Sequence, residues 1–61
     1  MKEMYVRINN EMDELMTLID LTKRSLKDAL DRDDFDSAER FLTVMKIYNS
    51  RYIETMEMLL N

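Results

Sequence analysis

Apolar residues recur along this chain at alternating spacings of three and four. From Tyr5 the series runs Tyr5, Ile8, Met12, Leu15, Ile19, Thr22, Leu26 and Ala29, the a and d positions of nearly four heptads. A second series follows: Phe35, Ala38, Leu42, Met45, Asn49, Tyr52, Met56 and Leu59. It does not continue the phase of the first, which disfavours one unbroken helix. The pattern predicts a single domain with helix 1 at about 3–31, a turn at about 31–33 and helix 2 at about 34–60. When the chain is folded back at residue 32, pairs such as Ile8/Met56, Leu15/Asn49, Ile19/Met45 and Ala29/Phe35 have numbers adding to the same total. The expected fold is therefore all-α, an antiparallel two-helix hairpin of coiled-coil type. At 1.5 Å per residue each helix is on the order of 40 Å long.

The acidic stretch "ALDRDDFDSAERFL", residues 29–42, contains neither glycine nor proline. Its bland explanation is a turn followed by a helix start. Asp33 is the expected N-cap, with Asp34 and Asp36 in the first turn, where the helix dipole favours negative charge. Asp36 and Glu39 have capping-box spacing and would serve if the helix began later. A calcium loop needs a central Gly at position 6 and a Glu at position 12. Counted from Asp31 those places hold Asp36 and Leu42, so no metal site is expected.

The two series leave apolar residues over. One flank of the hairpin collects Met4, Leu18 and Leu21 from helix 1 with Phe41, Val44, Tyr48 and Met58 from helix 2. The opposite flank is expected to be poorer, with Met16, Leu30, Ile53 and Leu60. A contiguous exposed apolar patch marks an interface. Two hairpins packed through the richer flank would form a four-helix bundle, and the same surface would also suit a different protein. Asn49, predicted in the middle of the seam, reads as a polar residue of the kind that sets register or subunit number, either pairing with its symmetry mate in a dimer or pointing outward to water. Methionine is frequent, with 7 in 61 residues, and Met1, Met4, Met12, Met16, Met56 and Met58 gather at the open end of the hairpin. Flexible thioethers fill irregular gaps and suit adaptable binding surfaces. Met12, Met45 and Met56 are expected in the core, and Met4 and Met58 against a partner.

Composition narrows the chemistry. A chain of 61 residues is marginal alone, and small domains add a disulfide, a metal or another subunit. There is no Cys and no His, which removes disulfides, thiolate ligands and the usual general base, and leaves self-association as the expected stabiliser. Gly 0 and Pro 0 argue against β-hairpins and phosphate-cradling loops. Neither a nucleophile–base pair nor a pocket for paired carboxylates can be assembled, so no enzyme and no cofactor is expected. No apolar run approaches the roughly 20 residues of a membrane span. The start "MKEMYVRINNEMDEL" has acids too early for a secretory leader, and a cytoplasmic setting is expected.

The net charge is -4. Many charges have partners at helical spacing: Glu3/Arg7, Arg7/Glu11, Asp20/Arg24, Arg24/Asp28, Lys27/Asp31 and Asp36/Arg40. Lys23, Arg24 and Lys27 form one local basic cluster. With Arg51 they are the alternative nucleic-acid contacts, although Asp20, Asp28, Glu39 and Glu54 interrupt them and nonspecific binding needs unopposed positive charge.

The segment "LKDALDRDDFDSAERFLTVM" resembles the UVR-type helical hairpin of bacterial excision-repair and stress proteins. The resemblance is carried by the Ala-Leu before the turn, the Asp-Phe after it and the following Ala38. It implies a protein–protein docking module. In size and layout the whole chain is similar to the Rop family of dimeric helical hairpins, which bind RNA loops. The expected function is that of a small non-enzymatic regulator or adaptor. It would form a homodimer and bind a larger bacterial or phage protein. A Rop-like RNA or DNA binder and a purely structural oligomer are the alternatives.

Overall fold

The computed structural model describes the backbone of residues 2–60 and the side chains of residues 3–60 except Tyr5. Two helices, α1 (Lys2–Asp31) and α2 (Phe35–Leu60), pack against each other as a hairpin. The molecule is a ribbon of 48 × 15 × 11 Å with no second layer. Its radius of gyration is 14.2 Å, against about 10.5 Å for a compact domain of this length.

Residues 32–34 make the connection, with Asp33 in the left-handed region where a glycine is usual. Asp33 has φ of 59°. The Asp34 amide donates to the Ala29 carbonyl at 2.8 Å and the Asp33 amide to the Leu30 carbonyl at 3.1 Å. Those two bonds are a Schellman motif, which satisfies the last carbonyls of α1. Asp34 then starts α2: its carbonyl accepts from the Ala38 amide at 3.0 Å and its Oδ1 accepts from the Ser37 amide at 3.2 Å. The N-cap is therefore Asp34, one residue later than expected, because the left-handed closing position consumes Asp33. Asp36 occupies the first turn of α2 as expected.

On α1 the inward stripe is the predicted one. Ile8, Leu15, Thr22 and Ala29 are buried, and Met12, Ile19 and Leu26 are half-buried between them. Tyr5 lies outside the described side chains, as does Met1. Next to the turn, Ala29 is wholly buried and Ala38 is 5% exposed, so two methyl groups set a close approach of the helices there.

On α2 the inward stripe differs from expectation. Ala38, Met45, Tyr52 and Leu59 face in as predicted, but Phe41, Tyr48 and Thr55 alternate with them. Phe35, Leu42, Asn49 and Met56 are instead exposed, Phe35 at 65%. Both sets are spaced three and four, so hydrophobic period alone does not choose between them. Side-chain chemistry favours the observed set. It shelters two aromatic rings and leaves the Asn49 amide in water, where no buried partner is required. The Thr55 hydroxyl donates to the Arg51 carbonyl at 2.9 Å, as Thr22 does to Leu18 at 2.7 Å, so each buried threonine packs as a small apolar residue.

Candidate protein-interaction surface

Helical position and contact place the remaining side chains on two flanks. One flank is identified by an ion pair across the hairpin, Arg51 Nε to Glu11 Oε1 at 3.6 Å. Around it, at the same helical positions or the next ones outward, are Met4, Leu18 and Leu21 of α1 with Val44, Ile47 and Met58 of α2, all exposed. This is the flank expected to be richer. Phe41 and Tyr48, expected on its surface, are instead half-buried between the helices.

The opposite flank gains the residues that leave the predicted seam. Leu30, Phe35 and Leu42 cluster at the turn end, and Met16, Met56 and Ile53 continue toward the open end. Between them runs a shallow groove lined by Ile19, Lys23, Leu26, Met45 and Asn49. The sequence pattern missed Phe35, Leu42 and Met56 as surface residues. A signal was present: with Phe41 and Tyr48 in the seam, the polar Asn49 falls in the same row as those three, as an outer row would.

Among the described residues, the charged side chains other than Glu11 and Asp34 are exposed, and most make no close ion pair. Among the described residues the close ion pairs are Glu11–Arg51 and Asp28–Arg32, the latter at 3.1 Å. None of the helical pairs expected from spacing closes to that distance. Holding two long solvated side chains together costs about as much entropy as the contact returns. Lys23, Arg24 and Lys27 are all exposed on α1, and Lys46 lines the groove beside Lys23. Arg51 lies on the other flank against Glu11, so the fold does not join it to the basic cluster. At the turn, the Ser37 hydroxyl and amide hold the Asp34 carboxyl below the usual carboxylate range, with Arg32 and Arg40 adding smaller effects. That shift is explained by helix capping.

Among the described residues, no group of three or more acidic side chains is placed to hold a metal ion, and no helix is long and apolar enough to cross a membrane. Surface depressions are open and lined by residues of the helix faces, such as Asp13, Met16, Asp20 and Tyr52. Comparison with protein-family models, with characterised proteins and with solved structures gives no match. The class defined by fold and surface is thus a two-helix hairpin with apolar side chains exposed on both flanks.

Proposed function

We propose that this chain is a small, non-enzymatic regulator or adaptor of the cytoplasm that forms a homodimer and binds a larger bacterial or phage protein. The observation that supports this most directly is the amount of large apolar side chain left in water. Leu18, Leu21, Val44 and Ile47 on one flank, and Leu30, Phe35 and Leu42 on the other, are all at least a third exposed. Monomeric proteins seldom leave contiguous apolar patches of more than a few hundred Å² uncovered. The absence of His and Cys and the open, shallow surface argue against a catalytic role. The resemblance of residues 26–45 to UVR-type docking hairpins points the same way.

The second reading is a nucleic-acid binder using Lys23, Arg24 and Lys27. Its supporting observation is Lys46 beside Lys23 on one face. Affinity capture from native bacterial extract, with and without nuclease, separates the two. Under the adaptor reading a specific protein is retained after nuclease treatment and is lost with Leu21→Asp. A triple Lys23/Arg24/Lys27→Ala variant keeps it. Capture that vanishes with nuclease and with the triple variant overturns the adaptor reading.

A further inference from the structure

We infer that a second copy of this chain packs on the flank bearing Met16, Leu30, Phe35, Leu42 and Met56, leaving the flank of Leu18, Leu21, Val44 and Ile47 to the larger partner. The inference rests on the homodimer proposed above and assigns its surface. It reverses the choice that the heptad pattern suggests.

Surface area provides the first argument. The hairpin exposes 5285 Å², whereas a folded monomer of 7.4 kDa exposes about 4200 Å² by the usual scaling with mass. The excess of about 1100 Å² exceeds the roughly 800 Å² that each partner contributes to a stable interface. One additional copy is therefore enough to bring the chain to an ordinary folded surface.

Continuity with the core provides the second. On this flank the groove floor is made of seam residues, namely Ile19, Leu26 and Met45. Apolar surface thus passes from the hairpin interior into the flank, interrupted by an amide at Asn49 and by Lys23 and Lys46, whose stems are themselves apolar. On the other flank the Glu11–Arg51 pair bridges the helices over the seam.

Charge provides the third. By helical position, the rim of the proposed face carries Lys23, Lys27 and Lys46 with Asp13, Asp20 and Glu39. These cancel within a chain whose net charge is -4, so a second copy meets no net like charge there. Phe35, 65% exposed at the start of α2, is the largest side chain available as an anchor.

The chain has no Cys, so single reporter thiols test the assignment without removing apolar surface from the proposed face. Asn49→Cys sits in the centre of that face and Ile47→Cys on the opposite flank. Sedimentation equilibrium of the unaltered chain should give twice 7.4 kDa. The rate of maleimide labelling at Asn49→Cys should fall as the dimerised fraction rises, while Ile47→Cys stays reactive at every concentration. Leu42→Asp should shift the chain to monomer and Leu21→Asp should leave the dimer intact. A monomer across the micromolar range overturns the inference. So does a dimer in which Ile47→Cys is the protected thiol, or in which neither is protected. Should Leu42→Asp fail to fold, the thiol pair still decides. A dimer with the expected protection pattern that captures no larger protein would refute the adaptor reading alone.

Discussion

At Asp33 the backbone enters the left-handed region with a side chain present, and its Cβ is crowded against the following carbonyl. Glycine has no such crowding. Asp33→Gly should therefore stabilise the hairpin by about 1 kcal/mol, less the extra entropy glycine adds to the unfolded chain, seen as a higher thermal midpoint. Asp34 plays the opposite part. Its carboxylate accepts from the Ser37 amide, and the Ser37 hydroxyl and amide lower its pKa. Asp34→Ala should lower the midpoint more than Asp36→Ala does, whereas Asp34→Asn, still a good cap, should lose less. The pH dependence follows from the sign of the shift. The folded-state pKa lies below the unfolded one. The stabilisation is complete above about pH 4 and disappears as pH falls through the lower folded value. The difference between the unaltered chain and Asp34→Ala should narrow over that acid range. A difference that stays constant would place the stabilisation elsewhere than in the charged cap.

Each helix uses its apolar residues differently. On α1 a single stripe is buried, and Ile8, Leu15, Thr22 and Ala29 define the face the helix turns inward. On α2 apolar side chains cover a wide arc, so two neighbouring stripes compete. Replacing a ring that is half-buried between the helices removes contacts that the hairpin needs whether or not anything else binds. Phe41→Ala and Tyr48→Ala should each cost about 2 kcal/mol, below the range for fully buried rings. Asn49→Ala, in the exposed row, should change stability by no more than about 0.5 kcal/mol. Urea denaturation of the three variants measures this, and a large loss at Asn49 with none at Tyr48 would restore the pattern read from the heptads.

For the whole molecule, shape matters more than any one contact. A ribbon 48 Å long and 11 Å thick has only a thin interior: among the described residues Ile8 and Leu15 are the large apolar side chains that are buried, while Phe35, Ile47, Leu21 and others stay exposed. Association and folding are then expected to be linked. The thermal midpoint should rise with protein concentration across the micromolar range, because a second copy binds the folded hairpin and not the unfolded chain. A midpoint independent of concentration would mean that the hairpin is stable alone.

Much of this architecture is legible in the order of residues. Heptad spacing, the change of phase after Ala29 and the absence of glycine and proline determine two long helices and where the chain reverses. The inward face of α1 follows from the same spacing, because only one stripe on that helix is apolar at every position but Thr22. Spacing could not determine the inward face of α2. The rows containing Phe41, Tyr48 and Thr55 and containing Phe35, Leu42, Asn49 and Met56 are equally periodic, and they differ by one residue step about the helix axis. Tertiary packing decided between them through shape and solvation: the aromatic rings gain cover, Thr55 satisfies its hydroxyl within its own helix, and the Asn49 amide remains in water. The same step put Phe35, Leu42 and Met56 on the flank expected to be poorer, so that both flanks carry exposed apolar side chains. The cap falls on Asp34 rather than Asp33 for a separate reason, since a left-handed closing residue is a property of the backbone path that composition does not specify.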